Sequence, residues 1–417
     1  MTIAPGAHLV VLKVLDDAGR GRISDVIAAL DYVLTNKAAL NIRIVNLSVA
    51  TGVYESYDSD PLTVAAKRVV AAGIVVVAAA GNNGRSAQGI TQYAGITAPG
   101  NAPWVLTVGA SSHMGTVDRA DDTIAVFSSR GPSAIDYNAK PDLVAPGVGI
   151  ESLSDPGGRL YATGAPLLLS GTVPTSYLPY MSLSGTSMAS PVATGTIALM
   201  LQANPALTPN AVKAILQYTA QAYAGYDTLT QGAGFLNAKG AVELARFLAA
   251  PSTTPYPSSS DWSAHLVWGN HLASGGRFTA DANAWSLNVT WGDVATGAGQ
   301  RVTWGVICSA DGCDGPGAGP WQTACLDLAC GLLATDAASS PHVVWGAMCN
   351  GADCPVPWNA RGVSSASALE GDTVVWGTSD QEGDTVVWGT SDREGDTVVW
   401  GTSCTDPACE PVVWNPQ

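Results

Sequence analysis

The stretch SGTSMASP, residues 184–191, sets one serine, Ser187, among small residues where a helix would begin and run on through VATGTIALMLQAN. A serine hydroxyl is a poor nucleophile until a base takes its proton, so Ser187 needs a histidine and a carboxylate within reach. At a helix N-terminus, free N–H groups and the helix dipole favour developing negative charge, which suits attack on a carbonyl. The same stretch also reads as an N-cap serine in a small-residue turn. A second polar group, Asn82-Asn83-Gly84, follows an apolar run and is good turn chemistry at a strand end.

The elements that would position these residues lie between residue 1 and about residue 247, where strand and helix signals alternate. HLVVLKVL (8–15) is a short apolar, strand-like run, and ISDVIAALDYVL (23–34) places Val26, Ile27, Leu30, Val33 and Leu34 on one helical face. IRIVNLS (42–48) is strand-like again. PLTVAAKRVVAAG (61–73) has Pro at its first turn and Gly at its end, the punctuation of a helix, and IVVVAAA (74–80) is an apolar β-rich run. LTPNAVKAILQYTA (207–220) closes the unit as a helix, with Thr208 as N-cap and Pro209 at the first helical position. Strands apolar on both sides, alternating with helices, predict an α/β fold: three layers, a mostly parallel sheet with helices on both faces.

AAPSTTPYPSSSDW (249–262) has no periodicity and reads as a Pro/Ser linker, giving a unit at 1–247, a linker at 248–261 and a tail at 262–417. Every tryptophan except Trp104 lies from Trp262 onward, seven of these twelve in V-x-W-G cores or the variant LVWG, and EGDTVVWGTSD repeats almost verbatim with Trp376, Trp388 and Trp400 at a spacing of 12 residues. So short a period, built of β-branched and aromatic residues between Gly/Asp turns, predicts one strand per repeat, stacked as a solenoid or zigzagged as a meander. All eight cysteines fall in four C-x4-C pairs: Cys308/Cys313, Cys325/Cys330, Cys349/Cys354 and Cys404/Cys409. Even pairing at short spacing favours disulfides in an oxidising compartment. Zinc is the other reading, but this spacing without a nearby histidine fits it poorly.

Composition narrows the partners. The 417 residues are 47% apolar and 13% charged, with a net charge of −15 and 19 basic residues that never cluster beyond a pair. That argues against nucleic acid, and no apolar run reaches membrane-span length. Residues 1–7 have no basic segment and no apolar core, so they are not a signal peptide.

Five blocks, in order, carry a resemblance: APGAHLVVLKVLDDAGRG, VVVAAAGNNG (75–84), FSSRGP (127–132), KPDLVAPG (140–147) and GTSMASPVATG (185–195). Together they resemble the subtilisin-like serine peptidases over residues 1–245, leaving the tail outside. The resemblance implies a subtilisin-like fold, peptide-bond hydrolysis with Ser187 as nucleophile, and Asn82 as the oxyanion-hole asparagine at the carboxyl edge of a parallel strand. It also implies that Ser48, Val49 and Ala50 on one side, and Ala79, Ala80 and Gly81 on the other, flank an extended polypeptide substrate lying as an added strand. Small residues on both sides imply an open, apolar pocket. No cofactor is implied; calcium is admitted by the family, but no site for it is located.

The chain departs from the family at the start. The family's acid block (a strand ending in Asp-Ser/Thr-Gly) and base block (His-Gly-Thr-x-Val) precede the APGAHL position. None of His8, His113, His265, His271 or His342 stands in a base motif. The expectation is an N-terminally incomplete fold, a fragment inactive as written, whose missing central strand would expose apolar residues of VVLKVL and leave backbone groups unpaired. Its coding DNA should continue upstream in frame into those blocks and a signal peptide, which places the protein outside the cell or on its surface. Two other readings stay open: a non-catalytic binding relic of the scaffold, or a surface-adhesion protein whose repeats carry the function.

Overall fold

The computed structural model describes residues 3–16, 19–86 and 89–268; beyond them it describes only the backbone strand segments 271–274, 278–279, 293–295, 301–303, 374–376 and 398–400. The cysteine pairs and His342 lie outside the described residues. After the two-residue strand β1 (Arg20–Gly21), the elements of the first unit run α1 (Ile23–Leu40), β2 (Ile44–Leu47), α2 (Pro61–Ala71), β3 (Val75–Ala79), β4 (Leu106–Ser112), β5 (Thr123–Ile124) and β6 (Leu143–Pro146). Then come β7 (Ile150–Leu153), α3 (Arg159–Thr163), β8 (Leu168–Leu169), β9 (Tyr180–Leu183), α4 (Thr186–Ala203), α5 (Pro209–Thr219), α6 (Thr228–Gln231), α7 (Ala238–Ala249) and β10 (His265–Trp268).

The helix signals act as their chemistry dictates. Asp60 caps α2 by accepting from the N–H groups of Leu62 and Thr63 at 2.8 and 2.9 Å, and Thr208 caps α5 by accepting from Ala211 N–H. Gly73, just past α2, has φ +82°, a backbone state that glycine adopts at least cost.

Strands β2, β3, β4 and β6 pair in parallel in that order, and β5 adds antiparallel at the end of β4. Alternation along β3 sends its side chains to two cores. Val76 and Ala78 join the cluster under α1 and α2, whereas Val75 and Val77 join the one that contains residues of α4, α5 and α7. The sheet is therefore covered on both faces, each buried Val or Leu contributing about 1.5–3 kcal/mol. A smaller antiparallel sheet, β7-β9-β8, leads into the start of α4.

Two expectations need correcting. HLVVLKVL is not a strand: Leu9 and Val11 are 86% and 84% exposed, while Leu12, Val14 and Leu15 pack partly on the α1/α2 core. A strand exists only with a neighbour, and β2, at the end of the sheet, pairs with β3 alone among the described residues.

Nor is the Pro/Ser stretch left unpacked. Tyr256 stacks edge-on against Phe247 at 5.0 Å, and Trp262 against Tyr218 at 6.1 Å. The chain then joins α5. Ser263 and Ala264 N–H donate to the carbonyls of Ala220 and Tyr218, Leu266 is fully buried in the main core, and Gln217 exchanges two hydrogen bonds with the Val267 backbone. Aromatic rings of 150–250 Å² outweigh the missing periodicity. In the tail, Val374–Trp376 and Val398–Trp400 pair in parallel, with Trp376 opposite Trp400.

Candidate active site

Ser187 is the second residue of α4 and is 3% exposed. Gly185, at the N-cap position, has φ +155° and offers no capping side chain, so the first N–H groups of the helix need partners from elsewhere. Thr186 N–H finds one in Asn82 Oδ1 at 2.9 Å, and Thr186 Oγ1 donates to the same oxygen at 2.9 Å. Two donors on its carbonyl fix the amide of Asn82. Its NH2 group is left without a protein acceptor among the described residues, and the Ser187 N–H is likewise free. Two unspent donors thus stand at the turn that opens α4.

The loop bearing Asn82 is held from below. Gly81 N–H donates to Thr186 Oγ1, Ser129 N–H to the Gly81 carbonyl, and Asn83 N–H to Ser129 Oγ. Gly84 donates to the Phe127 carbonyl, and a Cβ there would meet Ser128 O at 2.3 Å. Glycine is required by that close approach. The FSSRGP block therefore buttresses the Asn82 turn. The KPDLVAPG block does the same for the serine: Gly185 N–H donates to the Gly147 carbonyl at 2.7 Å, and Gly147 lies so close that a Cβ would stand 2.8 Å from Gly185 O.

Across the sheet's carboxyl edge, Ser48 and Ser187 share two contacts. Ser48 Oγ donates to the Ser187 carbonyl at 2.8 Å, and Ser187 Oγ donates to the Ser48 carbonyl at 3.3 Å. The first has a cause in the sequence. Residue 191 is proline, which has no N–H to offer the carbonyl four residues earlier, so Ser48 supplies the donor that the helix cannot.

Segments 48–50 and 79–81 continue β2 and β3 side by side, and residues 97–98 join them. Thr97 N–H donates to Ala80 O, and Thr51 and Ala98 exchange backbone bonds at 3.0 and 2.9 Å. Ala50, Ala79 and Ala80 are at most 2% exposed, while Ser48 and Val49 are half-buried. The structure thus brings together Ser187, Asn82, Ser48 and Gly81, with Val49, Ala50, Ala79 and Ala80 lining the adjoining edge. Thr186, Ser129 and Gly147 are positioning residues that sequence reasoning did not single out; the only signal for them was their membership of the quoted blocks.

No histidine is hydrogen-bonded to Ser187 among the described residues. His8 is exposed, His113 accepts through Nδ1 from Gly115 N–H, and His265 lies on β10, its imidazole held below the usual value by burial. Also among the described residues, no group of three or more His, Cys, Asp or Glu side chains gathers as a metal site.

A serine at a helix N-terminus, on the carboxyl side of a parallel sheet and with unbonded N–H donors in the same turn, has the chemistry that acyl transfer asks of a protein site. The family model described as "Subtilase family" matches residues 1–241, and the chain belongs to that family. It is 37% identical over 244 residues to the serine protease AprX of Bacillus subtilis, covering 57% of this chain and 52% of AprX. It is 32% identical over 243 residues to subtilisin E of the same organism, covering 58% of this chain and 50% of that protein. The chain thus spans about half the length of these relatives. Among solved structures it is similar to fervidolysin from Fervidobacterium pennivorans, described as a keratinolytic enzyme, with a TM-score of 0.40 and 24% identity over 57% of this chain and 30% of that one.

Proposed function

We propose that residues 3–268 carry the nucleophile and charge-binding half of a subtilisin-like serine endopeptidase. Ser187 Oγ attacks the scissile carbonyl of a polypeptide lying extended between segments 48–50 and 79–81. The oxygen that becomes negative in the tetrahedral intermediate is received by the Asn82 NH2 group and the Ser187 N–H. The observation that carries this reading is the double hydrogen bond from Thr186 to Asn82 Oδ1, which occupies the carbonyl end of the amide and leaves its NH2 end without an acceptor among the described residues. A structural turn asparagine has no need of a free NH2 beside a serine.

Among the described residues the Ser187 proton is directed at the Ser48 carbonyl, which is not a base. A triad serine without its histidine retains only the modest rate supplied by donors and binding, so the chain alone turns over negligibly. We place the boundary between the peptidase unit and the repeat tail after Trp268, with the tail an extracellular or cell-surface module whose C-x4-C pairs are disulfides.

The test is to fuse, ahead of residue 3, a segment that carries the family's acid block and base block. The fusion should hydrolyse a peptide substrate and take a fluorophosphonate label at Ser187, and the Ser187→Ala fusion should do neither. A fusion that folds by circular dichroism, yet is neither labelled nor active, would leave a binding relic as the better reading.

A further inference from the structure

Between Gly147 and the serine turn the chain leaves the main sheet. It runs out as β7 and returns as β9, which ends at Leu183 just ahead of Ser184 and Gly185. Both roots of this arm are tied to the serine turn: Gly185 N–H donates to the Gly147 carbonyl at 2.7 Å, and Gly149 N–H donates to Ser184 Oγ at 3.0 Å. The arm has its own hydrogen-bonded frame. Strand β9 pairs with β7 from Tyr180 opposite Leu153 to Leu183 opposite Ile150, and with β8 on its other side. Ser154 closes the outer end, its N–H donating to the Pro179 carbonyl and its Oγ to the Leu178 carbonyl, while Leu178 N–H donates to the Tyr161 hydroxyl.

The surface of this arm is apolar and largely without charge. Leu153 is 76% and Val173 69% exposed, and Tyr177 and Leu178 are exposed as well. The bonds of Ser154 bring Leu153 and Leu178 to the same end of the arm. Its charged side chains are Glu151, Asp155 and Arg159; from Leu160 to Val212 the chain has no Asp, Glu, Lys, Arg or His. A single apolar side chain on a surface needs no explanation, but several on one uncharged arm mark a surface that meets a partner.

The parallel strand order says where the arm stands. The segments after β2 and β3 reach Ser187 from one side, through Ser48. The arm grows from the end of β6, at the other end of the parallel order, and meets the serine turn through Gly147. A polypeptide laid along 48–50 and 79–81 that crosses Ser187 therefore runs on toward the arm.

We propose, resting on the reading of Ser187 as the nucleophile, that the arm β7-β9-β8 receives the part of the substrate beyond the scissile bond and selects apolar side chains there. Against such a segment Leu153, Tyr177 and Leu178 are withdrawn from water together. A polar or charged side chain in the same place gives up hydration and meets no charged partner on the returning half of the arm.

The full chain, whose own turnover is negligible, is titrated against a short fluorescein-labelled peptide of Ala, Leu and Val, with binding read by fluorescence polarisation. The comparison is the same peptide with Gln in place of Leu and Val, so that the net charge of −15 acts on both alike. The apolar peptide should bind about tenfold more tightly, and Leu153→Ser combined with Tyr177→Ser should remove most of that preference without moving the melting curve. Equal binding of the two peptides, or a preference that survives the double variant, would overturn the proposal. If the double variant does not fold, Val173→Ser is read in the same way. Labelling of the fusion at Ser187 keeps the two readings apart. A labelled fusion beside a preference that ignores the arm refutes the arm alone; an unlabelled fusion beside a preference that the arm variants abolish refutes the nucleophile and retains the arm as an apolar polypeptide site.

Discussion

If residues 256–267 belong to the peptidase unit, truncating Leu266 to alanine must weaken α5 and its surroundings and not merely the repeat tail. Leu266 is fully buried in the core cluster that holds Val212, Ile215, Leu216 and Leu244. Its backbone neighbourhood is pinned by Ser263 and Ala264 on one side and by Val267 on Gln217 on the other, so the site collapses poorly around a lost side chain. Removing a buried leucine side chain costs about 2–5 kcal/mol, and a pinned site argues for about 3 kcal/mol. In a unit of this size each kcal/mol shifts the melting temperature by about 2–4 °C, which predicts a fall of about 6–12 °C. The assay is thermal unfolding of the full chain by circular dichroism, combined with hydrogen exchange of the peptide spanning 209–219. Leu266→Ala should lower the melting temperature and speed exchange throughout that peptide. Unchanged α5 protection would show that Leu266 lies in an independent tail and that the packing argument is wrong.

Two further outcomes bear on the serine turn. Ser48→Ala strips the donor from a buried carbonyl and should cost about 1–3 kcal/mol in urea unfolding; in a Pro191→Ala background, where the helix regains its own N–H, the same change should cost much less, and equal costs in both backgrounds would refute the proline account. Gly147→Ala places a methyl group 2.7 Å from Ala110 Cβ and 2.8 Å from Gly185 O, so it should destabilise by about 1–3 kcal/mol and displace Gly185 in a crystal structure; a variant as stable as the parent would show that the contact yields freely.

Much of this architecture is legible in the chain itself, for identifiable reasons. Asp60-Pro61 and Thr208-Pro209 announce α2 and α5 because capping is a local reaction between neighbours in sequence. The run at 74–80 is apolar at every position because its two faces meet different cores. Ser187 and Asn82 stand out only within the ordered blocks, since each alone is ordinary turn chemistry. Thr186 as the anchor of Asn82, 104 positions away, carries no periodic signal. Composition also misleads at 249–262, where Pro and Ser hide the capture of Tyr256 and Trp262 by Phe247 and Tyr218. The run at 8–15 has a strand's residues but lacks a neighbour to pair with, a condition that no local pattern can supply.

The contacts that set the Asn82 amide come from Thr186, and those beneath its loop come from Ser129 and Phe127; none passes through a histidine. In the mechanism proposed above, reception of negative charge and relay of a proton are therefore separate tasks, assigned to different stretches of chain. Because the contacts that set the first involve no histidine, alternative proton acceptors could be installed around Ser187 and compared on one electrostatic background, isolating what the base contributes to the rate.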